Sequence, residues 1–308
     1  MSTLTSMCGI AGLYTKTPAL QDRLGTLLSG MLEQLSDRGP DSAGVAFYRD
    51  PAPDGWCKVS LHSATEQPNW EQIGARLSRG FGGASPPQVR GSHATFTVAA
   101  EADDAEHWLA EHHPELTMMS SGRSIEIYKE AGRPEAFVER FALGELGGTH
   151  ALGHTRMATE SRVTTDHSHP FSTGLDLCLV HNGSLSNHNQ LRRELRREGI
   201  RFRTDCDSEV AAGYLTWRMH AGDTLAQALE GCLEDLDGFF TFAVGTADGF
   251  AVLRDPIACK PAVMAETEDW VAIASEYRAI ATLPGAEDAA NWEPEPGHVY
   301  SWGRALVA

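Results

Sequence analysis

Positive charge is scarce in this chain. Against 42 Asp and Glu stand only 25 Lys and Arg in 308 residues, a formal net charge of −17 at pH 7. A surface of that sign repels phosphate backbones and anionic lipid, which argues against nucleic-acid binding and against docking on a charged bilayer. Long apolar runs are also missing: no stretch approaches the ~18 uninterrupted apolar residues of a membrane-crossing helix. The opening MSTLTSMCGI has no basic segment and no apolar core, so a secretory signal is not expected. The cysteines are Cys8, Cys57, Cys178, Cys206, Cys232 and Cys259, and no two have C-x-x-C spacing. That removes zinc knuckles and thioredoxin-type motifs, and a reducing cytoplasm is the expected setting. No H-E-x-x-H pattern occurs among the 13 histidines, so no metal site is expected.

What is present is an ordinary folded composition, 42% apolar and 22% charged, long enough for one large domain or two small ones. Cys8–Tyr14 is a short apolar run that predicts a buried strand. Leu20, Leu24, Leu27, Leu28, Met31, Leu32 and Leu35 recur at helical spacing and predict one helix, ended by Gly39-Pro40. Ala43–Arg49 predicts a second strand. Residues 50–148 are less regular. Weak strand signals lie at KVSLHS, ATFTVAA and SIEIYKE, and helical signals at 70–79 and 134–143. From His150 the pattern sharpens into two strands, a helix over 186–198, helices over 207–220 and 224–236, and five further strands. Strands at both ends with helices between predict α+β layers rather than an alternating parallel sheet.

Cys8 is the first chemical candidate. A buried thiol filling space in a strand is the simple interpretation. Its position allows another: were the chain trimmed after Met7, Cys8 would carry a thiol and a free α-amino group. Such an amine, with a pKa of about 7.7–8.0, accepts protons near neutrality and can serve as base for its own thiol without a histidine.

Five motifs then occur in order: MCGIAGLY, RGPDSAG (Arg38–Gly44), GHTRMAT (Gly153–Thr159), HNGSLSN (His181–Asn187) and TDCDSEV (Thr204–Val210), followed by RDP, KP and ASE. Together they resemble a class II glutamine amidotransferase domain, an N-terminal-nucleophile hydrolase, over nearly the whole chain except about residues 50–148. The resemblance implies a four-layer αββα sandwich of two antiparallel sheets, a leader 1–7 that is removed or untranslated, and a domain 8–308 with an irregular insertion at about 50–148. It makes Cys8 the nucleophile.

Arg156 can grip the substrate carboxylate with two parallel hydrogen bonds. Asp207 resembles the aspartate that takes the substrate ammonium. It could equally cap a helix, and Asp205 competes for either role. Asn182 and Gly183 suit an oxyanion hole, offering a side-chain NH2 and a backbone N–H, although Asn-Gly is also the commonest signal for a tight hairpin turn. Arg38 and Asp41 match positions that shape the pocket beside the nucleophile, as structural support or as substrate contact, and Thr159 and His169 match pocket-lining positions. Glu160 stands where a sugar-amidotransferase relative often has histidine, which argues against the glucosamine-forming branch. Arg254, Asp255, Lys260 and Glu276 are expected as scaffold ion pairs.

Stretches such as HTRMATES, YLTWRM and DLDGFFTF are closer to the glutamate-synthase-related branch, and to the glutamine amidotransferase subunit of N-methylglutamate synthase in particular. That resemblance implies a hetero-oligomer whose partner subunit carries FMN and an iron–sulfur cluster, with no cofactor in this chain. It implies ammonia from glutamine, or methylamine from γ-glutamylmethylamide, passed to that partner. The insertion would face partner subunits or lid the pocket. If residues 1–7 stay attached, the chain would instead be a non-catalytic assembly or regulatory subunit.

Overall fold

The structure, a computed structural model, describes residues 7–64, 68–158 and 162–303. In chain order the strands are β1 (Gly9–Thr15), β2 (Ser42–Tyr48), β3 (Cys57–Ser63), β4 (Gln88–Arg90), β5 (His93–Val98), β6 (Leu116–Gly122), β7 (Ile125–Ala131) and β8 (His150–Arg156). They continue with β9 (Phe171–Gly174), β10 (Leu177–Leu185), β11 (Gly238–Thr246), β12 (Gly249–Arg254), β13 (Val263–Glu266), β14 (Trp270–Ala274), β15 (Ala290–Trp292) and β16 (Val299–Gly303). The helices are α1 (Pro18–Gln21), α2 (Leu24–Gln34), α3 (Trp70–Phe81), α4 (Ala102–His112), α5 (Pro134–Arg140), α6 (His188–Arg197), α7 (Asp207–His220), α8 (Leu225–Asp235) and α9 (Tyr277–Ile280).

Side chains of a strand alternate between its two faces, and that alternation builds the layers. On β1, Ala11 and Leu13 join Leu24, Leu28, Met31 and Leu32 of α2, with Phe137 of α5 and Ile280 of α9. Ile10, one residue before Ala11 and so on the opposite face, joins Val180 of β10 and Phe250 and Val252 of β12. On β10, Leu177 and Leu179 turn the other way, onto Leu191 of α6, Val210 of α7 and Leu229 of α8. Two sheets therefore face each other with helices outside both. One has the order β15-β13-β14-β1-β8-β2-β7, the other β16-β12-β11-β10-β9. Their ladders are antiparallel throughout. This is the αββα sandwich the resemblance implied.

The expected single helix over Leu20–Leu35 is two. The first ends at Gln21, whose carbonyl accepts from Gly148 N at 3.0 Å, and the chain re-enters helix at Leu24. The apolar stripe continues across the break because both pieces cover the same sheet: Leu24, Leu28, Met31, Leu32 and Leu35 are all fully buried. Truncating one such leucine to alanine typically costs about 2–5 kcal/mol.

Residues 50–148 are not an irregular excursion. β3 to β6 form a third antiparallel sheet in the order β4-β5-β3-β6. Ile73 and Leu77 of α3 and Ala105 and Leu109 of α4 cover it, against Val59, Leu61 and Phe96. The signals are weak in sequence because the sheet's other buried face is polar. Ser60 Oγ lies 3.2 Å from Thr95 Oγ1, which reaches Tyr128 OH at 3.3 Å, and Lys58 Nζ donates to Glu126 Oε1 at 2.6 Å. Hydrophobic periodicity cannot register such a face. The same stretch also supplies β7, which pairs with β2 at the edge of the seven-stranded sheet, and α5 of an outer layer. Among the described residues no helix is long and apolar enough to cross a membrane.

Candidate active site

The alternation that makes the sandwich also gathers the candidate residues. Cys8, just before β1, is in phase with Ile10. His154 and Arg156 on β8 are in phase with Leu152, and Asn182 on β10 with Cys178 and Val180; these apolar partners all lie in the layer between the sheets. At one end of that layer opens a cleft of about 210 Å³. Cys8, Arg156, His169, Asn182, Gly183 and Asp207 line it, brought together from distant parts of the chain.

Cys8 is half-buried, with Sγ 3.6 Å from Met157 O. Its carbonyl accepts from Asn182 Nδ2 at 3.1 Å and from Arg38 Nε at 3.3 Å. Burial pushes the thiol pKa up, against backbone hydrogen bonding at Met157 and the positive charges of Arg156 and Lys260. Asn182-Gly183 is no hairpin turn. Both lie inside β10, opposite Thr241 and Phe240 of β11. Gly183 is required there: a Cβ would stand 2.0 Å from Phe239 O and 2.5 Å from His181 Nε2.

Arg156 ends β8, buried, and donates from Nη1 to Arg162 O at 3.0 Å. Asp207 is the first residue of α7, with Cys206 as the helix cap. Its Oδ2 accepts from Leu185 N at 2.9 Å, so the start of α7 is tied to the end of β10. Asp205 is almost wholly solvated, pairs with His167 Nε2 at 2.9 Å and does not line the cleft. Geometry thus separates the two aspartates that sequence left in competition.

Three buried histidines gather here, His169 and His181 lining the cleft and His154 behind them. His154 Nε2 donates to His181 O at 3.1 Å, and its ring stacks on His169 with centroids 4.1 Å apart. His169 Nδ1 accepts from His181 N at 3.3 Å, and His181 Nδ1 meets Ser208 Oγ at 2.9 Å. Burial lowers the pKa of all three, His154 to about 3 and His169 well below its ordinary value. They are neutral walls near pH 7. Lys129 Nζ donates to Ser168 O at 2.8 Å and Pro170 O at 3.3 Å, and so fixes the segment bearing His169.

Several expectations need adjusting. Arg38 does not line the cleft; it supports Cys8 through that residue's carbonyl and pairs with Glu276. Asp41 likewise supports, accepting from Ala158 N at 2.8 Å. Thr159, Glu160 and residues 1–6 of the leader lie outside the described residues. Of the expected scaffold ion pairs, Glu276 has Arg38 and Arg254 has Glu293 at 3.6 Å, but Asp255 accepts backbone N–H groups and Lys260 turns into the cleft. The reason is local: Arg254 is held by backbone carbonyls, leaving Lys260 to the open side. His181, Ser208, Cys206 and Lys260 line the cleft unforeseen. No described residue of the insertion at about 50–148 lines it. Among the described residues one group, His167, Asp205 and Cys206, places potential ligand atoms within 4.8 Å of one another. Two of those atoms already hydrogen-bond each other, and the group sits at the positive end of α7, which disfavours a cation.

The profile of a family described as "Glutamine amidotransferase domain" matches residues 154–282. The chain is 55% identical over 306 residues, 98% of itself and 100% of the relative, to the glutamine amidotransferase-like protein GlxB of Rhizobium meliloti (strain 1021). It is 29% identical over 304 residues, 96% of itself and 99% of the relative, to a putative glutamine amidotransferase of Methanothermobacter thermautotrophicus. Among solved structures it is similar to the glutamine phosphoribosylpyrophosphate amidotransferase from B. subtilis, with TM-score 0.58 and 21% identity. That match covers 96% of this chain and 47% of the enzyme, so the chain spans about half the enzyme's length, and the likeness speaks to the fold alone. A full-length relationship to GlxB and a sandwich with Cys8 at the mouth of its inter-sheet layer lead to one family: the chain belongs to the class II glutamine amidotransferase family and has the N-terminal-nucleophile hydrolase fold.

Proposed function

We propose that the chain is the glutaminase subunit of an N-methylglutamate synthase-like complex. It releases ammonia from glutamine, or methylamine from γ-glutamylmethylamide, for a cytoplasmic partner subunit carrying FMN and an iron–sulfur cluster. The single observation that supports the chemistry best is the meeting of Cys8, Asn182, Arg156 and Asp207 around one small cleft.

In this reading residues 1–7 are absent from the working protein, and the α-amino group of Cys8 takes the thiol proton. The thiolate attacks the γ-carboxamide carbon. Asn182 Nδ2 and the Gly183 N–H hold the oxyanion, while Arg156 takes the α-carboxylate and Asp207 the α-ammonium. The C–N bond breaks as the α-amino group returns its proton to the leaving ammonia. Water, deprotonated by the same amine, hydrolyses the γ-glutamyl thioester to glutamate and restores the thiol. His169 and Thr159 would shape the pocket without proton transfer. Arg156 and Asp207 together select a free α-amino acid, which favours this reading over a hydrolase of other amides.

Intact mass and labelling test it together. The active protein should lack MSTLTSM, and a glutamine-analogue electrophile should modify Cys8 alone. A fully active protein that keeps the heptapeptide would remove the amine base, and an inactive one that keeps it would make the chain an assembly subunit. Affinity purification from the native source should recover flavin and iron–sulfur subunits; recovery of an unrelated acceptor enzyme would overturn the branch assignment.

A further inference from the structure

Lys260 is a cationic lining residue that the chemistry above does not use. It sits between β12 and β13 on a segment that is held firmly. The buried Arg254 guanidinium donates to Ala258 O at 2.7 Å, Lys260 O at 3.0 Å and Pro294 O at 3.1 Å. Asp255 accepts from Ile257 N at 2.9 Å and Phe240 N at 3.1 Å. Between them Ala258 is held at φ 51°, a left-handed conformation that costs a residue with a Cβ roughly 1–2 kcal/mol. Such strain persists where the surroundings over-determine it. The outcome is an ammonium 5.3 Å from the Phe239 ring centroid, beside the strand pair that carries Gly183. Among the described residues no carboxylate pairs with Lys260.

The charges of the cleft show what it faces. Arg156 and Lys260 are positive and Asp207 negative, and His169 and His181 are kept neutral by burial; His167 and Cys206 are the other titratable groups lining it. A free amino acid brings one carboxylate and one ammonium, which Arg156 and Asp207 answer. Lys260 is left for a negative charge that the resting substrate does not bring. We propose that Lys260 stabilises the thiolate of Cys8 as a positioning charge. This rests on Cys8 being the nucleophile. The pull of Lys260 on the Cys8 thiol, in the direction opposite to burial, agrees with it.

The test is the pH dependence of Cys8 alkylation by iodoacetamide in the mature protein, read on the Cys8 peptide by mass spectrometry. Iodoacetamide is uncharged, so its rate follows the thiolate fraction. In K260M the midpoint should move up by about one unit, and K260R should restore it. Glutaminase kcat/KM should fall about tenfold at pH 7 in K260M, carried by kcat rather than KM. A folded K260M with the wild-type midpoint overturns the proposal and leaves the nucleophile standing. Failure of wild-type Cys8 to react at any pH overturns the nucleophile, and this inference with it. Should K260M not fold by circular dichroism, K260Q carries the same comparison.

Discussion

The two ends of the sandwich are made by the same strands and differ in what their polar atoms do. At the near end, β1, β8 and β10 present Cys8, Arg156 and Asn182 around about 210 Å³. At the far end, β1, β2 and β8 present Tyr14, Tyr48 and His150 around a larger cavity of about 670 Å³. Yet the far end is largely satisfied internally. His150 Nε2 donates to Thr246 O at 2.9 Å and its Nδ1 meets Thr149 Oγ1 at 2.9 Å. Tyr48 OH donates to Asp176 O at 2.8 Å, and the Tyr48 ring stacks on His150 at 4.2 Å. Buried polar atoms without a partner collect instead at the near end: Arg38 Nη2, Ser42 Oγ, His154 Nδ1, His181 Nε2 and Thr241 Oγ1, against Arg49 Nε at the far end. Volume does not make a site here; uncommitted hydrogen-bonding and ionic groups do.

Substitution at each end sharpens the contrast. Cys8→Ala should remove glutamine hydrolysis entirely while the circular dichroism spectrum stays unchanged; turnover surviving in that variant would move the chemistry elsewhere. Acid comes next, because both ends hold neutral buried histidines. His62, His93, His150, His154, His169 and His181 all have pKa values lowered by burial, His150 to about 4 and His154 to about 3. As pH falls below the unfolded value of about 6.5, the unfolded chain takes up protons that the folded one refuses. Stability is therefore present above about 6.5 and lost between there and the folded values, by up to about 1.4 kcal/mol per pH unit per histidine. Urea midpoints at pH 7 and pH 5 should differ accordingly; equal midpoints would mean these imidazoles are charged in the fold.

Asn182→Ala should lower kcat by about 10²–10³, equivalent to about 2.7–4 kcal/mol, with folding intact. An effect confined to KM would deny it the oxyanion. Arg156→Lys keeps the charge but loses the fork, and should raise KM for glutamine about tenfold, measured in steady-state kinetics. Smallest of all, Tyr48→Phe at the far end should cost about 1 kcal/mol in urea unfolding and leave kcat/KM within about twofold. A large activity loss in that variant would show the two ends coupled.

Much of the site is legible in the order of residues alone. The chemistry-bearing residues Cys8, Arg156, Asn182, Gly183 and Asp207 stand in short motifs because each needs a particular neighbour, such as the glycine that lets β10 pass Phe239 O. The strands carrying them are largely apolar runs buried on both faces, which can be placed from sequence. The insertion is obscure because its sheet meets β7 through serine, threonine, tyrosine and a Lys58–Glu126 pair, so its buried face does not look buried in sequence.

Sequence by itself determined the layers and named residues that meet at the cleft, since a strand's period of two commits each side chain to a face wherever the chain pairs. Tertiary structure alone decided which aspartate enters the cleft, that Arg38 supports rather than lines it, and that Lys260 faces Cys8's pocket instead of an ion pair. Those choices depend on where segments distant in the chain meet, on Arg254 holding the Ala258 and Lys260 carbonyls and on Leu185 N–H reaching Asp207, and no local pattern records such a meeting.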